Sequence, residues 1–150
     1  MKLAEALIER ADLQNRLQQL RDRLVANARV QEGEKPAEDP MELLEETAQV
    51  TARLEELIAR INLTNAKVLC EGRTLTELLA RREALSQQVS LMRSLLDAAS
   101  ATVMRGGRME VRILSAVDVP GLRKQTDSLS QELRKLDTLI QSRNWLEDLR

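Results

Sequence analysis

Apolar residues recur along most of this chain at alternating steps of three and four, and four segments carry the pattern. The first runs over about 3–30, with the stripe Leu3, Leu7, Ala11, Leu13, Leu17, Leu20, Leu24 and Ala28. Within it Leu13, Leu17, Leu20 and Leu24 step by four, three and four, which is a heptad seam. The second runs over about 40–70 through Leu43, Thr47, Val50, Leu54, Leu57 and Ile61. The third, about 75–104, carries Leu75, Leu78, Leu85, Val89, Met92, Leu96, Ala99 and Val103, with Arg82 the one charged interruption. The fourth, about 119–146, carries Val119, Leu122, Thr126, Leu129, Leu133, Leu136 and Ile140.

The boundaries have their own chemistry. Gly33 and Pro36 break the first helix. Asp39-Pro40-Met41-Glu42 opens the second, with Asp39 placed to cap free amides and Pro40 where no N–H is needed. Gly72 reads as the stop of the second helix, and Thr74-Leu75-Thr76-Glu77 as a capping box for the third. Arg105-Gly106-Gly107 ends the third, and Pro120 falls in the first turn of the fourth. Helices of this length are not stable singly in water, so the seams must face one another or the seams of other copies. The expected fold is all-α: one domain over 1–150, an antiparallel, coiled-coil-like bundle of four long helices.

One segment breaks the helical period. Over about 108–115, Met109, Val111 and Ile113 alternate with Glu110 and Arg112, which is strand periodicity. With no second strand in view, the expected partner is the same strand of another copy, paired antiparallel. Met109, Val111 and Ile113 are therefore candidate interface residues. Trp145, a lone tryptophan at a helix end, is a fourth, as a subunit contact or a plug over the core.

Polar residues inside the apolar stripes are the other candidates. Asn62 and Asn65 flank the Ile61 seam, and Arg82 occupies a seam position. Such residues usually fix register or oligomeric state at some cost in stability. A polar ligand pocket between helices is the alternative.

Composition narrows the chemistry. The 150 residues include no His, Phe or Tyr, one Trp and one Cys. Without His, the Ser/His/Asp and Cys/His constellations cannot form, and the commonest metal ligand is missing. Without aromatic platforms, single-strand nucleic-acid readers of the stacking type are excluded. Cys70 has no intrachain disulfide partner and reads as a plain, partly buried thiol. Glu42, Glu45 and Glu46 read as a solvated helix face rather than a cation site. No cofactor, metal or catalytic residue is expected. No signal-peptide pattern and no long uncharged apolar window is seen, so the expected location is cytoplasmic.

Net charge is −1 but uneven: residues 32–56 hold nine acidic against two basic side chains. Such asymmetry steers one helix or subunit toward another, or simply leaves an acidic loop solvated. Arg16, Arg21, Arg23 and Arg29 on the first helix offer a nucleic-acid alternative, against which the net charge and the interleaved Asp12 and Asp22 argue.

Several stretches, taken in order, resemble the septicolysin-like group of bacterial helical proteins: Met1–Leu7, Val30–Glu34, Leu57–Asn65, Gly72–Thr76 and Asn144-Trp145. The resemblance implies a mostly α-helical, oligomeric protein of uncharacterised function, with no catalytic residues to carry over, and a membrane-active protein as a further alternative. The reading favoured by the residues themselves is a non-enzymatic, homo-oligomeric scaffold whose partner is another copy of itself.

Overall fold

A computed structural model describes residues 1–101 and 112–150. The fold is predominantly α-helical: α1 (Leu3–Ala26), α2 (Pro40–Lys67), α3 (Leu75–Ser100) and α4 (Val119–Leu146), with two short strands, β1 (Leu69–Cys70) and β2 (Arg73–Thr74). The chain divides into two compact units, Met1–Leu75 with Ser142–Arg150, and Thr76–Gln141.

In the first unit α1 and α2 form an antiparallel hairpin. Leu20, Leu43 and Val50 are buried at its centre, with Leu13, Leu17 and Leu24 packed against them. These positions belong to the two heptad stripes. Three arginine–glutamate pairs cross the hairpin beside the seam: Arg53 to Glu9 at 2.7 Å, Arg16 to Glu46 and Arg23 to Glu38. Their positions advance on α1 as their partners recede along α2 and into the loop before it, which fixes the antiparallel sense.

The ends of both helices are set by side chains that satisfy free backbone groups. At the start of α1, the Glu5 carboxylate accepts from the Lys2 amide at 2.6 Å. At its end Asn27 donates from Nδ2 to the Arg23 carbonyl at 2.9 Å and accepts the Glu38 amide on Oδ1 at 3.0 Å. Asn27 thus closes the helix and ties down the loop, so α1 ends before the expected 30. Asp39 caps α2 by accepting the Met41 amide at 2.8 Å.

The C-terminal end of α2 corrects one expectation. Val68 turns extended, and β1 and β2 pair antiparallel, Leu69 with Thr74 and Cys70 with Arg73. Glu71 and Gly72 between them both have positive φ, 52° and 81°. That is the requirement of a two-residue I′ hairpin turn. Gly72 therefore serves the turn of a small β-hairpin rather than stopping a helix, and α2 ends at Lys67.

The first unit is closed by the end of the chain. Leu3 donates to the Glu147 carbonyl and Leu149 to the Met1 carbonyl, both at 2.9 Å, around an antiparallel bridge between Lys2 and Asp148. The Arg150 amide donates to Thr64 Oγ1 at 3.0 Å, and Arg60 Nε donates to the Arg150 carbonyl at 2.8 Å.

In the second unit α3 and α4 are joined by cross-helix polar contacts. Arg81 pairs with Glu132 at 2.7 Å, Arg82 with Asp137 at 3.6 Å, and Arg93 donates to Ser130 Oγ at 3.3 Å. Leu78, Leu85, Val89 and Met92 of α3 and Thr126, Ser130 and Ile140 of α4 are buried. Asp118 starts α4 by accepting the Gly121 amide at 3.2 Å. A Cβ at Gly121 would fall 2.4 Å from Asp118 Oδ2, so the cap itself favours glycine there.

Of the segment expected as an intersubunit strand, Met109 and Val111 lie outside the described residues, as does the end of the third helix expected at 104. Residues 112–115 are described and belong to no strand. The strand pairing that is present within the described residues is the hairpin at 69–74.

Candidate interaction surfaces

The polar seam candidates separate. Asn62 is exposed and Asn65 half-buried, and neither side chain makes a hydrogen bond among the described residues. The buried polar group at this end of α2 is Thr64, which donates from Oγ1 to the Arg60 carbonyl at 2.8 Å while accepting the Arg150 amide. Sequence reasoning missed Thr64 because its partner lies 86 residues away. Arg82 is half-buried and reaches Asp137 across the α3–α4 hairpin. Asn62 and Asn65 belong to the first unit and Arg82 to the second.

Seam hydroxyls elsewhere are satisfied inside their own helices. Thr47 Oγ1 donates to the Leu43 carbonyl and Thr126 Oγ1 to the Leu122 carbonyl, each at 2.8 Å. Threonine in these seams therefore leaves no hydroxyl in want of a partner.

Cys70 is fully buried. Hydrogen bonding to it raises the pKa of the neighbouring Arg143 above its ordinary range. The thiol is packed inside the first unit. Among the described residues no group of three His, Cys, Asp or Glu side chains is arranged to hold a metal ion. Of the acidic trio on α2, Glu46 is engaged by Arg16 and lies 4.0 Å from Arg23. Among the described residues no helix is long and apolar enough to cross a membrane.

What the surface does offer is uncovered apolar side chains. Trp145 is 55% exposed, and Ile113 is exposed as well. On α3 the buried seam is flanked by a second stripe, Leu91, Leu95 and Ala98, spaced by four and three. Leu91 is 67% exposed. Together the two stripes give α3 an apolar arc wider than one neighbouring helix covers. Near the end of α3 a groove of about 260 Å³ is lined by Leu95, Ala98, Ala99, Ala101 and residues 113–117. At the loop end of the α1–α2 hairpin, Val25, Val30, Met41 and Leu44 are exposed.

The fold and these surfaces define an all-α protein built from two helical hairpins and bearing apolar patches. The family described as "Family of unknown function (DUF6847)" matches residues 10–149. The chain belongs to this family. It is also similar to a solved structure described as the crystal structure of a functionally unknown conserved protein from Corynebacterium diphtheriae, with a TM-score of 0.94 and 38% identity. That match covers 100% of this chain and 99% of the other. No curated protein matches the sequence.

These findings overturn the resemblance to the septicolysin-like group. The DUF6847 match spans nearly the whole chain, and neither it nor the solved structure points to a septicolysin. The stretches behind the resemblance were short pieces of amphipathic helix and turn. Leucine, arginine and glutamate at helical spacing recur in any helical hairpin and carry little family information.

Proposed function

We propose that the protein is a non-enzymatic, homo-oligomeric helical assembly protein. The observation that carries this reading is the exposed stripe Leu91–Leu95–Ala98 beside the buried seam of α3, an apolar surface on a helix already packed on one side. Apolar surface in a continuous stripe favours burial against another helix, at about 25 cal/mol per Å² removed from water. Ile113 in the same unit is exposed as well, and the first unit carries its own exposed apolar side chain in Trp145. The lack of histidine removes the commonest general base and supports a binding role over catalysis. A single, buried cysteine suits a reducing compartment, which supports a cytoplasmic location.

Nucleic acid fits less well, because Arg16 and Arg23 of α1 are already engaged by Glu46 and Glu38. Native mass spectrometry of the purified protein tests the reading. A dimer or larger species at micromolar concentration is expected, and Leu91→Asp with Leu95→Asp should convert it to monomer without loss of helicity. A parent protein that is monomeric throughout overturns the assembly role.

A further inference from the structure

The α1–α2 hairpin has two edges that differ in kind. One edge holds the cross-helix ion pairs. There Arg16, Arg23, Glu46 and Arg53 each come immediately before a residue of a packed stripe, Leu17, Leu24, Thr47 and Leu54. Because the residue before the stripe falls on this edge for both helices, the residue after it falls on the opposite edge for both. On α1 the opposite edge carries Gln14, Gln18, Arg21 and Val25, all exposed. On α2 it carries Leu44, Ala48, Thr51, Glu55 and Ile58, also exposed. These step by four, three, four and three, so α2 has a second heptad stripe one position behind the packed one.

Charge on this edge comes down to one cation and one carboxylate. Arg21 and Glu55 have no ion-pair partner among the described residues. Neighbouring charges lie off the edge. Arg10 continues the packed stripe of α1 and has its Nε buried. Asp22 and Glu45 come two positions after Leu20 and Leu43, on the backs of the helices, and Asp22 accepts from Gln18 at 3.1 Å. The ion pairs also set the levels of the two helices. Glu9 stands beside Arg53 and Arg16 beside Glu46, so Glu55 is level with Leu7, Ala48 with Gln14, and Arg21 with Met41. Arg21 and Glu55 are therefore at opposite ends of the edge, about 14 residues and roughly 21 Å apart. Between them lie the uncharged Gln14, Gln18, Leu44, Ala48 and Thr51.

We infer that this edge docks on the same edge of a second copy, turned end for end about a two-fold axis beside Gln14 and Ala48. This rests on the assembly reading and gives the first unit a contact surface of its own. An edge with one charge of each sign at its two ends is its own complement when reversed. The turn brings Arg21 of each copy level with Glu55 of the other, and sets the bulky Leu44 against Thr51 of the other copy. The size also fits a second hairpin. The face is two helices wide, about 20 Å, and runs from Met41 to Ile58, about 26 Å. Two copies would bury about 1,000 Å² together, where specific interfaces begin, and a single docked helix would cover about half of that. The contact is isologous and closes as a dimer.

The test uses the full chain, with sedimentation for association and circular dichroism for helicity. Arg21→Glu and Glu55→Arg each set like charges level across the axis. Each should associate about tenfold more weakly than the parent, with helicity intact. The double reversal Arg21→Glu/Glu55→Arg restores opposite charges and should recover the parent's association. Ala48→Cys lies at the axis and should give a disulfide-linked dimer on oxidation. Asn62→Cys, on the same edge but beyond the contact, should not, and Cys70 is buried in both variants. Single reversals that associate like the parent, a double reversal that does not recover, or the absence of the link at 48 overturns the inference. Each of these outcomes leaves the assembly reading in place on α3. A monomeric parent overturns both. Should a reversal lose helicity, the two cysteine variants decide: a link at 48 and none at 62 supports the contact, and any other pattern overturns it.

Discussion

The backbone amide of Arg150 donates to the hydroxyl of Thr64, which is fully buried near the end of α2. The same hydroxyl donates to the Arg60 carbonyl, so one side-chain oxygen joins the terminal segment to a helix. Replacing Thr64 with Val keeps the shape and removes both bonds, leaving the Arg150 amide without its acceptor. The expected loss is about 1–3 kcal/mol, read from the urea midpoint. Proteolysis should also begin at the C-terminal tail sooner than in the parent. A midpoint within error of the parent would show that the tail contributes nothing to the stability of the first unit.

Arg53 draws two carboxylates at once. Hydrogen bonding to Arg53 is the chief cause that lowers the pKa of both Glu9 and Glu56 below the ordinary carboxylate value. A carboxylate with a depressed pKa in the folded state contributes stability at neutral pH, and that contribution is lost as pH falls through the depressed value. Glu38, paired with Arg23, and Asp148, paired with Lys2, are lowered likewise. The melting temperature should therefore fall progressively below about pH 4. Arg53→Gln should lower it at pH 7 and flatten its acid dependence. An unaltered acid slope in that variant would mean the pairs at Glu9 and Glu56 do not couple protonation to folding.

Arg82 sits at a seam position of α3, half-buried, with Asp137 at 3.6 Å. A charge at such a position limits the arrangements a seam tolerates. Arg82→Leu should keep or raise the thermal midpoint while broadening the distribution of oligomers in native mass spectra. Outright unfolding of this variant would place Arg82 in a polar network that the hairpin requires.

Cys70 has no exposed surface in the folded chain. A thiol reagent such as a disulfide chromophore should modify it only through opening of the small β-hairpin or the first unit. Labelling in buffer should be slower than in concentrated urea by about a thousandfold or more, as opening costs a few kcal/mol. Rapid labelling of the native protein would show that the hairpin at 69–74 opens freely.

The heptad stripes made most of the fold legible. Leu75, Leu78, Leu85, Val89 and Met92 were marked by spacing alone, and all five are buried. Helical amphipathicity is a local property, written every three or four residues, and so survives in a single sequence. The β-hairpin was not legible, because strands of two residues are too short to show alternation, and a glycine after a helix has two readings. The turn declares itself only when Glu71 joins Gly72 at positive φ. The end of α1 carried a signal that was passed over, Asn27, whose side chain makes both capping bonds. The bridge of Lys2 to Asp148 had no local signal at all, since its partners are joined only by the fold. The exposed patches were half legible. The acidic stretch was visible in composition, but its apolar centre at Val25 and Met41 belongs to helix faces whose exposure only the fold reveals.

The three pairs across the α1–α2 hairpin, Glu9 with Arg53, Arg16 with Glu46 and Arg23 with Glu38, stand seven residues apart on α1 but do not repeat the same sign. A leucine seam cannot count: shifted by one heptad, it meets leucine again and loses little. The charges can count. Sliding α2 by seven residues in one direction sets Arg16 against Arg53, and in the other sets Glu9 against Glu46. Either misalignment puts like charges side by side where the aligned hairpin has opposite ones. The order of signs along the edge thus works as a combination, and only one setting of the two helices opens it.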